Sequence, residues 1–96
     1  MPIAQVTVVP IGTGDTGIAS YVKDVVAVLD GYTDLKYVVG ANVTFVEGDL
    51  DRIFAAVREM HERPFDAGAR RVMTLINVDD RRDKPQTMEE KVTRVT

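Results

Sequence analysis

The sequence contains no cysteine and no tryptophan, and only 6% of its residues are aromatic. Without cysteine, the chain can form neither a disulfide nor a thiolate metal site. Small secreted domains often depend on disulfides, so this composition favours a cytoplasmic protein. No basic segment followed by an apolar stretch opens the chain, and we expect no signal peptide. The apolar runs are too short to span a bilayer, so no membrane partner is expected.

The chain also lacks an excess of basic residues, because 12 lysines and arginines are outnumbered by 15 acidic residues. A nucleic-acid-binding domain normally carries a basic patch, so the net charge of −3 makes nucleic acid an unexpected partner. The length of 96 residues predicts a single domain over residues 1–96. Because a domain of this size buries only about two-thirds of its unfolded surface, contacts between subunits would stabilise it.

Hydrophobic periodicity predicts four strands and three helices. The first strand, Ile3–Ile11, places Ala4, Val6 and Val8 on one face and Gln5 and Thr7 on the other. The remaining strands are predicted at 35–39, 43–47 and 71–78, with a tight turn at 40–42, and the helices at 18–29, 50–65 and 88–95. Asp49 and Thr87 stand where side chains cap helix N-termini.

The apolar face of the second helix needs a separate prediction because a proline interrupts its pattern. Helical spacing assigns to this face the side chains of Leu50, Ile53, Phe54, Val57 and Phe65. Pro64 removes one helical hydrogen bond and is expected to kink or end the helix.

The predicted order of elements is β-α-β-β-α-β followed by a short helix, which is the ferredoxin-like α+β arrangement. Its helices cover one face of a four-stranded antiparallel sheet. The other face is predicted to carry Gln5, Thr7, Thr44, Leu75 and Asn77. This mixed composition is typical neither of a dry core nor of a solvent surface. We therefore expect the open face to serve subunit packing, ligand binding or both.

Gly12, Gly14 and Gly17 match the spacing of the dinucleotide-binding fingerprint and lie between a predicted strand and a predicted helix. The fingerprint also requires a carboxylate at the end of the second strand, where this sequence has Val39 and Gly40. The following hairpin further breaks the alternation that a dinucleotide-binding fold needs. We favour a turn in which glycine allows the backbone to change direction or approach a ligand.

No convincing catalytic or metal site is present. Asp79, Asp80 and Asp83 are interleaved with basic residues, which indicates a solvated loop or a cluster of ion pairs between subunits rather than a cation site. His61 is the only histidine and has no evident nucleophile to activate. We therefore expect a protein that is not an enzyme and needs no cofactor.

Five segments of the chain resemble one family. They are AQVTVVPIGTG at 4–14, SYV at 20–22, LKY at 35–37, TFVEG at 44–48 and the run 71–85 that ends in DDRRDKP. Together they resemble the YkoF-like small thiamine-binding proteins, and the resemblance extends nearly from end to end. It implies a ferredoxin-like fold, sheet-to-sheet packing into dimers and then a homotetramer, and binding of thiamine or its hydroxymethylpyrimidine moiety without known catalysis.

The resemblance also implies ligand-binding residues. Residues that match the family pattern are Gly12, Thr13, Gly14, Ser20, Thr44 and Glu47. The turn departs from that pattern, because Ala41-Asn42-Val43 stands where Pro-Met-Gly is common. Asn42 brings an amide group to a position that usually has a thioether, which makes the identity of the ligand the open question.

The chemistry of a pyrimidine suggests a second, overlapping set of residues. Its ring nitrogens and amine need hydrogen-bond partners, since an unpaired buried polar group costs about 1–3 kcal/mol. Side chains able to supply them are Thr7, Asn42, Thr44 and Asn77. The thiazolium cation of thiamine would be favoured by Glu47 if that carboxylate lies close by.

Four functions remain open at this point. The leading one is a thiamine-type binding protein that carries, buffers or senses its ligand. A regulatory module for another small metabolite, an enzyme that uses the glycine loop or the aspartates, and a purely structural oligomer are the alternatives. The enzyme hypothesis predicts turnover or a required metal, and the structural one predicts no saturable ligand.

Overall fold

A four-stranded antiparallel sheet, ordered β2-β3-β1-β4, forms the centre of the computed structural model, which describes all 96 residues. Its strands are β1 (Ile3–Ile11), β2 (Lys36–Val39), β3 (Thr44–Glu47) and β4 (Arg71–Asp79). The helices are α1 (Ala19–Ala27), α2 (Leu50–Asp66) and α3 (Met88–Val95), and a 3₁₀ turn at Val28–Gly31 extends α1. This arrangement confirms the predicted ferredoxin-like α+β fold.

The core lies between α1 and α2 and one face of the sheet. Ala4, Val6 and Val8 are buried there, as the alternation in β1 predicts. From α2 the core receives four side chains at the i, i+3, i+4 and i+7 positions, Ile53, Ala56, Val57 and Met60.

The apolar face predicted for α2 was wrong in part. Phe54 is 48% exposed and Phe65 is also exposed, whereas Ile53 and Val57 are buried as expected. Each residue turns the helix by about 100°, so Phe54 cannot share the core with its neighbour Ile53. Phe65 packs at its edge against His61, with ring centroids 5.5 Å apart.

Pro64 lies within the last turn of α2, and the helix continues for two residues before it ends at Asp66. The amide of Ala67 donates to the carbonyl oxygens of Arg63 and Pro64. Gly68 then takes a positive φ of 102°, a backbone conformation that glycine adopts readily at helix ends. The proline therefore stands close enough to the C-terminus to be accommodated.

The third helix packs on the opposite face of the sheet from α1 and α2. The Thr87 hydroxyl caps its N-terminus by accepting from the amide of Glu90, as Asp49 caps α2 by accepting from the amide of Arg52. Both capping predictions are confirmed. None of the helices combines the length and the apolar character needed to cross a membrane.

Candidate ligand site

A cavity opens beside β1 where the β2–β3 hairpin stops. β1 pairs with β4 along its whole length but with β3 only from Ile3 to Val6. Helix α1 closes the space beside the outer half of β1, which leaves a cavity of about 450 Å³. We call it the hairpin–helix cavity, and the residues that define it are Thr7, Val8, Val22, Val26, Asn42 and Thr44.

Thr44 lines this cavity from the helix-covered face of the sheet. It lies opposite Val6 in β1 and Val39 in β2, and it is only 7% exposed. The prediction that Thr44 belongs to the open face was therefore wrong. Thr44 and Val46 turn toward the helices, so Phe45 takes the open face, because successive side chains of a strand alternate between faces.

The polar groups of the cavity come from three of the predicted site residues. The Thr7 hydroxyl donates to the main-chain carbonyl of Asn42 at 3.3 Å and so holds the turn against β1. The Thr44 hydroxyl and the side-chain amide of Asn42 form no hydrogen bond with another residue. Both are therefore free to bind a ligand that enters the cavity.

The rest of the cavity wall is apolar and carries no formal charge. Eleven of its fifteen lining residues are hydrophobic, and none is an aspartate, glutamate, lysine or arginine. Sites for small organic ligands typically combine such a wall with a few placed polar groups, in a volume of about 300–1,000 Å³. The cavity therefore suits a small, neutral, largely planar molecule.

A second, more open cleft lies between α3 and the open face of the sheet. We call it the α3 cleft; it has a volume of about 720 Å³, and Gln5, Phe45, Asn77, Met88 and Val92 are among its lining residues. Asn77 and Gln5 are paired across β1 and β4, and both are exposed. The structure thus separates Asn77 from the other three predicted pyrimidine partners.

Glu47 holds α3 against the sheet instead of lining the hairpin–helix cavity. Its carboxylate accepts from the amide of Met88 at 2.7 Å, at the opposite end of β3 from Thr44. A carboxylate is favourable at a helix N-terminus, where the free amides carry partial positive charge. Glu47 is therefore not positioned to balance the charge of a cation bound beside Thr44.

Two ion pairs complete the attachment of α3. Lys36 pairs with Glu89, and Lys91 pairs with Asp79. The hydrogen bond from Lys91 lowers the pKa of the Asp79 carboxyl, and the one from Lys36 lowers the pKa of Glu89. All four side chains remain about half exposed, so these pairs orient the helix more than they stabilise the fold.

The glycine loop lies outside both cavities. Gly12 and Gly14 have positive φ values of 75° and 80°, and Thr13 donates from its hydroxyl to the carbonyl of Asp15. Ser20 is exposed in the first turn of α1. Of the nine predicted site residues, the structure brings together Thr7, Asn42 and Thr44, and it leaves Gly12, Thr13, Gly14 and Ser20 at the neighbouring loop and helix start.

The aspartates after β4 are each engaged by a basic side chain. Asp79 pairs with Lys91, Asp80 with Arg82, and Asp83 with Arg81. These ion pairs lie within the chain, and the alternative of an ion-pair cluster between subunits stays a prediction. No group of three or more carboxylate or histidine side chains is arranged to hold a metal ion.

His61 connects α2 to the sheet through a hydrogen bond. Its Nδ1 lies 2.7 Å from the Thr74 hydroxyl oxygen, which ties α2 to β4.

Sequence reasoning missed the apolar members of the cavity. Val22 and Val26 of α1 and Val8 of β1 line it, and nothing in their side-chain chemistry distinguishes them from core residues. One signal was available: Pro10 cannot donate to a neighbouring strand, so its presence in β1 indicates a free edge there.

The structure defines a ferredoxin-like domain with a largely apolar cavity between the hairpin and α1. The thiamine-binding protein family matches residues 4–96. The chain is 44% identical to the UPF0045 protein YqgV of Bacillus subtilis, over 96% of this chain and 91% of that protein. It is 40% identical to a UPF0045 protein of Staphylococcus xylosus, over 96% of this chain and 89% of that protein. The chain belongs to the thiamine-binding protein family.

Two solved structures agree with this assignment. The hypothetical protein MJ1052 of Methanocaldococcus jannaschii superposes with a TM-score of 0.90 at 34% identity, covering 98% of this chain and 94% of that one. A Thermotoga maritima protein ascribed to thiamine biosynthesis or salvage superposes with a TM-score of 0.79 at 25% identity, covering 99% and 98%. Both likenesses extend over nearly the whole chain, α3 included.

Proposed function

We propose that the protein binds thiamine or its hydroxymethylpyrimidine moiety in the hairpin–helix cavity and releases it unchanged. The observation that carries this proposal is the unpaired hydroxyl of Thr44 inside an uncharged cavity, beside the amide of Asn42. Thr44 is also one of the residues that carry the resemblance to the thiamine-binding proteins. The family supports the proposed ligand class, and the geometry of the cavity supports the proposed placement.

The charge of the cavity decides which part of thiamine would enter it. Its wall holds no acidic side chain, and Glu47 is committed to α3. Burying an uncompensated cation costs far more than burying a neutral ring whose polar groups are paired. The proposal therefore places the pyrimidine inside and leaves the thiazolium ring toward solvent.

Calorimetric titration with thiamine and with hydroxymethylpyrimidine tests the proposal. Both are expected to bind saturably, and mass spectrometry is expected to recover them intact. A Thr44→Val variant should bind about tenfold more weakly, because one hydrogen bond to the hydroxyl contributes about 1.4 kcal/mol. The matched control is Asn77→Ala in the α3 cleft, which should bind like the parent. Absence of saturable binding, or chemical conversion of the ligand, would overturn the proposal.

We also propose that the protein acts as a homotetramer built of dimers packed through their open sheet faces. Met73 and Leu75 are about half exposed on that face, with Val38 exposed on β2. Large apolar side chains exposed on one face of a sheet favour burial of that face against a second copy.

Analytical ultracentrifugation should give the mass of four chains for the parent protein. Leu75→Lys introduces a charge at the centre of the proposed interface and is expected to shift the mass to a dimer or monomer. Phe54→Lys places the same charge on a similarly exposed apolar residue of α2 and should leave the tetramer intact. A monomeric parent protein would contradict this part of the proposal.

A further inference from the structure

The backbone edge of β1 is unoccupied where it borders the hairpin–helix cavity. The ladder between β1 and β3 ends at the pair Val6–Thr44, although β1 continues for five more residues. Beyond that pair the turn is held to β1 by the hydrogen bond from the Thr7 hydroxyl to the Asn42 carbonyl and not by backbone pairing, and no other strand takes the place of β3. The main chain of β1 beyond Val6 therefore faces the cavity instead of a neighbouring strand.

The alternation of the ladder identifies which residue presents its polar groups there. The amide of Gly48 donates to the carbonyl of Pro2, so Pro2 directs its main-chain oxygen toward β3. In an antiparallel ladder, every second residue directs both its N–H and its C=O to the same neighbour. Every second residue after Pro2 therefore directs its main-chain groups to the same side, and the first of these beyond the end of the ladder is Val8.

Val8 is only 7% exposed and lines the cavity. Thr74 of β4 lies opposite Val8 in the ladder. By the same alternation, the N–H and C=O of Val8 point away from β4. None of the hydrogen bonds formed outside the regular elements involves Val8. The N–H and C=O of Val8 have no partner within the chain and border the cavity, so a molecule that enters it can bond to both.

The shape of the edge restricts what can bind. The next residue of β1 on the same edge is Pro10, which has no N–H, so the edge offers one donor with one adjacent acceptor and cannot extend a ladder along an added strand. A ring that carries an acceptor nitrogen beside an amine matches this pair. The 4-aminopyrimidine edge, with its ring N3 and exocyclic amine, has that arrangement.

We propose, on the basis of the function proposed above, that the N–H and C=O of Val8 recognise the aminopyrimidine edge of the ligand. The ring N3 accepts from the Val8 amide, and the 4-amino group donates to the Val8 carbonyl. The Thr44 hydroxyl and the Asn42 amide then remain for other polar groups of the ligand. Because the recognising groups belong to the main chain, they are independent of the side chain at position 8.

A pair of pyrimidines tests this recognition directly. The 4-oxo analogue of hydroxymethylpyrimidine carries an N–H at position 3 and a carbonyl at position 4, which reverses the donor and the acceptor. It would face the Val8 groups donor to donor and acceptor to acceptor. Calorimetry is expected to show binding at least about 100-fold weaker than that of the 4-amino compound, because a site built for hydrogen bonds rejects an analogue that cannot form them.

A backbone variant provides the second readout. Val8→Pro removes the N–H without touching the β4 ladder and should weaken hydroxymethylpyrimidine binding at least tenfold. Val8→Ala keeps the N–H and measures the effect of trimming the side chain alone, so Val8→Pro is expected to weaken binding at least about threefold more than Val8→Ala does. If Val8→Pro fails to fold by circular dichroism, the Val8 amide of the parent protein is followed by NMR, where its hydrogen exchange should slow when hydroxymethylpyrimidine is added.

The outcomes separate this inference from the proposed function. Equal binding of the two pyrimidines, full binding by a folded Val8→Pro variant, or an unchanged Val8 amide would overturn the recognition by Val8 and leave thiamine-type binding in place. Failure of both thiamine and hydroxymethylpyrimidine to bind would overturn the proposed function, and this inference with it.

Discussion

An Ile53→Ala variant is expected to lose about 2–5 kcal/mol of the free energy of unfolding, because it removes a large side chain from the most enclosed part of the core. Ile53 is 0% exposed and belongs to the cluster that joins α2 to β1 and β3. Small domains have total stabilities of only about 5–15 kcal/mol, so a loss of this size would be a large fraction of the whole.

The neighbouring residue supplies the control. Phe54→Ala removes a larger side chain from the same helix, but Phe54 is about half exposed, and the expected loss is below about 1 kcal/mol. Urea denaturation followed by circular dichroism at 222 nm measures both. Equal losses for the two variants would mean that the face of α2 assigned to the core is wrong.

A tryptophan placed in the hairpin–helix cavity is expected to abolish binding of hydroxymethylpyrimidine. Val22 lines the cavity from α1 and is 36% exposed, so Val22→Trp can place an indole ring there without displacing the core. The ring would occupy much of the volume that the ligand needs. We expect affinity to fall at least about 100-fold, equivalent to about 2.7 kcal/mol.

Val92→Trp is the reciprocal variant. Val92 is an exposed lining residue of the α3 cleft, and a tryptophan there blocks that cleft alone. Calorimetry with hydroxymethylpyrimidine is expected to show full binding by Val92→Trp and almost none by Val22→Trp, with both variants folded by circular dichroism. The reverse pattern would place the ligand in the α3 cleft, among Gln5, Phe45 and Asn77.

Most of the fold could be predicted from local patterns. The alternation of Ile3–Ile11 and the caps at Asp49 and Thr87 specify single elements, and the structure confirms each of them. The failures occur where a pattern is short or ambiguous. β3 has four residues with apolar side chains on both faces, so its sequence does not tell whether Thr44 or Phe45 turns toward the helices.

The candidate site was harder to predict from the sequence, because the cavity arises where β3 ends before β1 does. Thr7, Asn42 and Thr44 could be nominated by their hydrogen-bonding chemistry, but Asn77 and Glu47 were nominated by the same reasoning and lie elsewhere. Side-chain chemistry is shared by many residues of a chain. Only the distance between elements selects those that can contact one molecule.

By itself, the amino-acid sequence determined the order of the elements, their faces in β1 and β4, and the family to which the chain belongs, because each of these depends on residues close together in the chain. The tertiary structure alone decided that β1 runs past the end of β3 and that α1 closes the space beside it. It also decided that the Glu47 carboxylate binds the N-terminus of α3. Those features arise from contacts between residues distant in the sequence, where no local periodicity reports which group is left without a partner.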